Sequence, residues 1–497
     1  MSNKLQAMAN ETEILPRLAI VPVMAAALAL LIVLSACASQ YGFDRDELYF
    51  RMLPPAWGYL DQPPLVPALV RLVTHWVADE PWAVRIPAII FTVSSVPVIA
   101  LVAREVGGGR LAQGLAAWGF AFGSMTLSFG HVFLTASADL LVWPAISLFV
   151  IRAVRRNDDR WWIWTGIVVG LSSYNKLLVA FLLVSLASGL LITGPRRVLR
   201  SGGLWIGAAL AMLIAAPNVL YQALHGWPQL EMGAALSAKN ASSVRVMMWP
   251  MLLLMLGPLL VPIWVAGLIG LLKRPSWHNL RFLLIAFPVL LSLVWFSGGQ
   301  FYYPYGLLAV IYSIGCVPTA LFVARRKIWT RLAIAGVAIN SLASAVISLP
   351  IIPSVALGAT PIPAMNSLAG DQLGWPTYAR EIDEVAATVP NRAETAILTS
   401  NYGEAGALAG FGQSGLPVFS GHNELYEFGP PPESVDRVVV VGGMLRRIVP
   451  FFGNCTVVAR LENEIGVPNE EEGQPIAICQ APKAPWSSIW PALKHLD

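Results

Sequence analysis

The chain has 497 residues, of which 56% are hydrophobic and 12% charged, with a formal net charge of +4. Globular domains carry about 25% charged residues, so a soluble surface over this whole length is excluded. Four cysteines exclude a disulfide-dense extracellular scaffold, and no concentrated basic face marks a nucleic-acid binder.

Uncharged apolar runs of about 20 residues, enough to cross a bilayer core, recur along the first 350 residues. They predict a polytopic α-helical membrane protein with about eleven transmembrane helices. These helices begin near Leu18, Ile86, Leu111, Phe133, Trp161, Leu177, Leu204, Met247, Arg281, Tyr303 and Leu332. Residues 1–350 hold 25 Lys/Arg against 13 Asp/Glu, and residues 351–497 hold 8 against 16. A basic, apolar body and an acidic, more polar tail predict two domains: 1–350 in the membrane and 351–497 on its outer face.

Orientation follows from the basic turns. With the N-terminus inside, the inward segments hold Lys4 and Arg17, Arg104 and Arg110, Arg152 to Arg160, Arg196 to Arg200, Lys273 to Arg281, and Arg325 to Arg331. Of the 25 basic residues in the body, 18 fall inside and 7 outside on this assignment. The positive-inside rule then places the N-terminus inside and, after an odd number of helices, the tail outside. Dividing Trp161–Thr193 into two helices is the step on which the side of the tail depends.

The outward segments hold most of the motifs. The first outer loop, 38–85, contains Leu48–Leu53 and Leu65–Val77, both readable as amphipathic helices lying in the interface. A second outer loop is expected over Tyr221–Arg245, and a third at Gly298-Gly299-Gln300-Phe301-Tyr302. The tail alternates like a small α/β domain, with a helix at Thr377–Ala387. Its strands are expected at Ala396–Thr399, Arg437–Val441, Thr456–Ala459 and Ile476–Cys479. Leu34-Ser35-Ala36-Cys37 reads as the small-residue end of the first helix, with a lipoprotein cleavage site as the alternative. Cys455 and Cys479 are either a disulfide in an oxidising compartment or two buried thiols. The 6 histidines are scattered and show no metal-ligand spacing.

Four carboxylates, Asp44, Asp46, Glu47 and Asp61, crowd the start of the first outer loop. Like charges near a low-dielectric boundary raise each other's pKa, which suits a general base at a dry site. A solvated loop with helix-capping acids is the competing reading. Asp139 falls inside the fourth span, where an ionisable group is a functional candidate because it is costly to place. It serves equally as a pairing partner for Arg85 or Lys176. Lys176 itself either snorkels to the interface or holds an anionic headgroup.

The string Phe43-Asp-Arg-Asp-Glu-Leu-Tyr49 followed by Trp57-Gly-Tyr-Leu-Asp-Gln-Pro-Pro-Leu-Val-Pro67 resembles the first outer loop of bacterial protein O-mannosyltransferase-like enzymes. These belong to the GT-C superfamily of glycosyltransferases, which use a polyprenyl-phosphate-linked sugar. Ala216-Pro217-Asn218, His225-Gly226-Trp227-Pro228 and Gly298 to Pro304 extend the resemblance. In the tail, Asn401-Tyr402-Gly403-Glu404-Ala405 and Ser420-Gly421-His422-Asn423 extend it further.

The resemblance implies an inverting glycosyltransferase of the bacterial cytoplasmic (inner) membrane with Asp46 as general base. Glu47 and Asp139 complete the implied catalytic set. Lys176, Arg245 and Arg85 are the candidates for the donor phosphate, and Asp44, Asp61, Gln62 and Tyr302 for the acceptor or loop site. The donor would be a polyprenyl-phosphate sugar held among membrane lipids, and the acceptor a protein, a lipid or a glycan. No cofactor is required, and a divalent metal is neither implied nor excluded. Two departures stand out. Asp61-Gln62 lacks the lysine that the related lipid A aminoarabinose transferases carry there, and Leu48-Tyr49 replaces an arginine after the Asp-Glu pair. A transporter or lipid flippase, and a scaffold presenting its tail, are the competing classes. Transporters often show paired repeats and helices broken at mid-membrane, whereas here the polar motifs gather on one face.

Overall fold

The computed structural model describes residues 15–496; Lys4 lies outside the described residues. α1 (Ile20–Cys37) opens the membrane body. The first long loop then carries α2 (Arg45–Met52) and α3 (Leu65–Trp76). The chain returns through α4 (Ile86–Glu105), breaks into α5 (Arg110–Ala121) and α6 (Ser124–His131), and continues as α7 (Thr135–Arg156). α8 (Arg160–Ser172) and α9 (Val179–Thr193) flank a short turn. α10 (Gly202–Leu224), α11 (Pro228–Leu254), α12 (Val261–Lys273), α13 (Phe282–Ser297), α14 (Tyr305–Val323) and α15 (Lys327–Ser348) complete the body.

Among the described residues, seven helices are long and apolar enough to cross a membrane, or eight if the bent pair α11–α12 forms one span. The expected spans near Leu111, Trp161 and Leu177 are helices of 12, 13 and 15 residues. At 1.5 Å per residue they fall short of the roughly 30 Å core. Hydropathy cannot see the breaks that shorten them, at Phe122-Gly123 and at Ser173–Leu178. The expected outer loop Tyr221–Arg245 is mostly helix. α10 runs to Leu224, Gly226 and Trp227 turn the chain at positive φ, and Pro228 starts α11. α11 and α12 meet at 73°, beside Gly257 at φ +104, where Asn340 occupies the space of a Cβ.

α7 and α14 are mostly buried, while α10 and α15 present most of their surface outward. That surface is apolar, with Met212, Leu213 and Leu342 exposed, as a lipid-facing helix requires. Since lipid gives apolar side chains no reason to hide, membrane helices associate through close approach of small residues. A Cβ on Gly166 would collide with the backbone of Gly207, and one on Gly315 with that of Ile263.

The tail forms α16 (Trp375–Ala387), β1 (Thr395–Thr399), α17 (Tyr402–Phe411), β2 (Val418–Ser420), β3 (Arg437–Val441), β4 (Phe452–Arg460) and β5 (Pro475–Pro482). The sheet order is β2-β1-β3-β5-β4, with β1 parallel to β2 and β3, and β5 antiparallel to β3 and β4. Cys455 and Cys479 are cross-strand partners joined by a disulfide. Residues of β1 and β3 alternate between two cores, as a strand's period of two dictates. Ala396, Leu398, Val438 and Val440 face one core; Ile397, Val439 and Val441 face the other.

That second core is completed by the first long loop. Leu48 and Phe50 of α2 and Val70 of α3 pack with Trp375, Ile382 and Leu408 of the tail. α2 therefore does not lie in the interface: Glu47, Leu48, Tyr49 and Phe50 are all buried. Each such apolar side chain contributes about 1.5–3 kcal/mol on burial. The first loop and the tail form one packed unit, although the helices from Ile86 to Ser348 lie between them in the chain.

Candidate active site

Two helix starts build the centre of the site. At α2, Asp44 caps the helix by accepting the Asp46 N–H at 3.0 Å, while Glu47 accepts the Asp44 N–H at 2.9 Å. At α17, Asn401 accepts the Glu404 N–H at 2.9 Å in the same reciprocal arrangement. Both are capping boxes, which fix the first helical turn. The two first turns face each other, and the Tyr402 hydroxyl donates to Asp46 Oδ1 at 2.7 Å. Tyr402 is stacked between Tyr49 and His422, at 4.6 and 4.7 Å between ring centroids.

A cavity of about 1300 Å³ lies beside this contact, its polar lining including Asp46, Asp61, Gln62, Lys176, Tyr302 and Tyr402. The rest of its lining is mostly apolar, from the start of α9, the C-terminal half of α10 and the start of α11. Asp61 accepts a hydrogen bond from the Tyr49 hydroxyl at 3.0 Å. That hydroxyl in turn accepts the Glu424 N–H at 3.2 Å. Burial pushes Asp61 up to about 7 despite the Tyr49 hydrogen bond. Burial also raises Asp46, against the lowering effects of Tyr402, Arg45 and Lys176.

Lys176 is the one cationic side chain among the described residues lining the cavity. It sits in the α8–α9 break, its Nζ 4.8 Å from the Tyr303 ring centroid and 3.5 Å from Thr135 Oγ1. Three of the motifs from the sequence hold this break in place. Asn218 donates to the Ser173 carbonyl at 2.7 Å, and the Leu65 N–H donates to Tyr174 O at 2.9 Å. Asn175 donates to Asp139 Oδ1 at 3.2 Å and to the Thr135 carbonyl at 2.9 Å. Asp139 thus lies behind Lys176 and outside the large cavity; it steadies the turn that carries the cation.

Four candidate residues lie elsewhere. Glu47 and Arg85 form a fully buried pair, Arg85 Nε to Glu47 Oε1 at 3.1 Å and Nη2 to Oε2 at 3.2 Å. Arg85 also donates to Ala38 O, Gly42 O and Gln372 Oε1, and Glu47 accepts the Phe133 N–H at 2.9 Å. With these partners they clamp the loop, the body and the tail together, and neither reaches the cavity. Asp44 is spent on the α2 cap. Arg245 is exposed along α11, donating to Trp295 O at 3.4 Å and lying over the Trp295 ring. It does not line the cavity, because the expected loop is helix and points it outward.

Tyr402, Asn423 and Tyr49 line the cavity without being singled out as site residues by sequence. The first two belong to tail strings noted only for their resemblance, and nothing local marks a tyrosine as the neighbour of a carboxylate 356 positions away. Among the described residues no group of three or more His, Cys, Asp or Glu side chains is placed to hold a metal.

Residues 61–221 match the family described as dolichyl-phosphate-mannose-protein mannosyltransferase. No curated protein sequence matches the chain significantly. Among solved structures, ArnT from Cupriavidus metallidurans bound to undecaprenyl phosphate aligns with a TM-score of 0.59 at 13% identity, covering 92% of this chain and 97% of that one. Arabinofuranosyltransferase AftD from Mycobacteria aligns with a TM-score of 0.53 at 13% identity, covering 93% of this chain and 40% of that one. The chain thus shares its overall fold with ArnT and with the matched part of AftD.

Proposed function

We propose that the protein transfers a sugar from a polyprenyl-phosphate-linked donor to an acceptor hydroxyl on the outer face of the bacterial cytoplasmic membrane, inverting the anomeric centre. The observation that carries this is the shape of one cavity. Asp46 and Lys176 both line it, and most of the rest of its lining is apolar, from the start of α9, the C-terminal half of α10 and the start of α11. A donor with a long hydrocarbon tail and a charged headgroup fits such a space. The similarity to a structure bound to undecaprenyl phosphate supports the same donor class.

In this reading the acceptor oxygen attacks the anomeric carbon as its proton passes to Asp46. The bond from that carbon to the phosphate oxygen breaks, and polyprenyl phosphate departs with the electron pair. Lys176 faces the developing negative charge, where a preorganised cation is most effective. One base suffices for an inverting displacement, consistent with Glu47 being committed to Arg85. The Cys455–Cys479 disulfide suits an oxidising compartment and so supports placing the tail outside and the N-terminus inside.

The test is transfer of radiolabelled sugar from purified polyprenyl-phosphate donors in membranes, wild type against Asp46→Asn. Loss of the base is expected to lower transfer on the order of 100-fold or more, with folding unchanged. Equal transfer by both proteins would remove Asp46 from the mechanism. Because burial raises Asp46, wild-type kcat/KM should rise with pH as the carboxyl deprotonates.

A further inference from the structure

We propose that Tyr402 is a positioning residue: carried by the tail, it holds the Asp46 carboxylate at the cavity wall and makes transfer depend on a docked tail. This rests on the reading of Asp46 as the base. The geometry is specific. Tyr402 is the first residue of α17, whose capping box fixes its backbone. Its ring is packed by Tyr49 on one side and His422 on the other, and His422 stacks in turn on His495, 4.6 Å away. A ring held on both faces has little freedom, so its hydroxyl arrives at Asp46 Oδ1 already oriented.

The tail secures this arrangement at further points. The Asn423 N–H donates to His495 O and the His495 N–H donates to Gly421 O, both at 3.0 Å. The His495 ring Nε2 lies 2.7 Å from Ser400 O. Arg45 of α2 pairs with Glu470 and Glu471 of the tail and lies over the Tyr402 ring. The contact that orients the carboxylate exists only when the loop and tail are assembled. The tail is thereby a working part of the site as well as a neighbour of it.

A donated hydrogen bond favours the ionised form of a carboxylate. The other groups acting on Asp46 are Asp44 and Arg45 of its own helix, Asp61 of the loop, Lys176, Tyr302 and Asp371. None of these is removed by Tyr402→Phe, which keeps the stacked ring and deletes only the hydroxyl. The acid limb of the kcat/KM profile should therefore move up by about one pH unit. Activity should fall about tenfold on that limb and recover to within about threefold at higher pH, with acceptor KM little changed.

The experiment compares the full-length wild type and Tyr402→Phe for transfer across pH, with thermal midpoints recorded to establish equal folding. An upward shift of the acid limb supports the proposal. A profile scaled equally at every pH, or left unchanged, overturns it. A second readout needs no substrate: infrared titration of the carboxyl band assigned to Asp46 by its loss in Asp46→Asn. A band midpoint that moves up in Tyr402→Phe supports the positioning role, and an unmoved midpoint overturns it. If no donor is used by wild type, the glycosyltransferase reading fails while the infrared titration still decides this one.

Discussion

In the membrane body, α8 and α10 meet backbone to backbone at Gly166 and Gly207. In the unit formed by the first loop and the tail, α2 and α17 meet through stacked rings and a shared apolar core, and Arg45 of α2 pairs with Glu471 of the tail. The difference follows from the two solvents. Lipid offers apolar side chains an environment as good as the protein interior, so helices associate by shape and close approach. Water rewards apolar burial and penalises every polar group that is buried without a partner. The loop–tail unit accordingly gathers Leu48, Phe50, Trp375 and Leu408 while pairing Glu47 with Arg85 and Glu471 with Arg45. The proposed active site lies at the seam, where the hydrocarbon tail of the proposed donor would need the first environment and a proton transfer the second.

The largest effect should come from cutting the clamp that joins the two regions. Arg85→Met leaves Glu47 buried and uncompensated, at a cost of about 3–5 kcal/mol. Little folded protein is expected in detergent by thermal shift, and Glu47→Gln added to it should restore part of the loss. If Arg85→Met melts like wild type, the clamp is not what holds loop, body and tail together.

A smaller effect is expected within the body. Gly207→Ala forces a Cβ against the Trp162 backbone and should cost about 1–3 kcal/mol as an overpacked contact. Its thermal midpoint should drop by a few degrees while the pH profile of transfer keeps its shape. A changed acid limb in this variant would mean that body packing reaches Asp46, which the comparison does not allow.

A further effect is a pH dependence carried by the loop–tail unit. Burial pushes Asp61, Asp371 and Glu404 each up to about 7, whereas unfolded carboxyls titrate near about 4. The folded state therefore holds these protons more tightly. The stability they contribute is fully present below about pH 4 and is lost as pH rises through about 7. Melting should occur at higher temperature near about pH 5.5 than near pH 8, and Glu404→Gln should flatten part of that slope. Gln keeps an acceptor for the Ser400 N–H, now 2.7 Å from the Glu404 carboxylate, so the variant isolates the charge. An unchanged slope in Glu404→Gln would remove this carboxyl from the effect.

Four of the five strands were legible because alternating or continuous apolar runs of β-branched residues such as Arg437–Val441 carry their own signal. The fifth, Val418–Ser420, has three residues and pairs only because β1 is already beside it. The helices at Leu111, Trp161 and Leu177 were legible as apolar runs but not as broken ones. Hydropathy reports the solvent of a segment, and the break is set by what packs there, such as Asn218 on the Ser173 carbonyl. At the site, the acidic loop and Lys176 were visible as charges placed where charges are costly. Glu47 and Arg85 shared that signal equally and turned out to satisfy each other.

By itself the sequence determined the membrane body, the polar tail and the small set of candidate groups for chemistry. Composition and run length decide those, because each segment answers to its own solvent before it meets any other. Only the tertiary structure decided which groups face the cavity. Asp46 and Glu47 are neighbours in the chain, yet the helical turn aims one at the cavity and the other at Arg85. Tyr402 and Asp46 stand 356 positions apart and meet because two capped helix starts are packed into one core. Such a contact depends on the whole assembly, and no local pattern of residues encodes it.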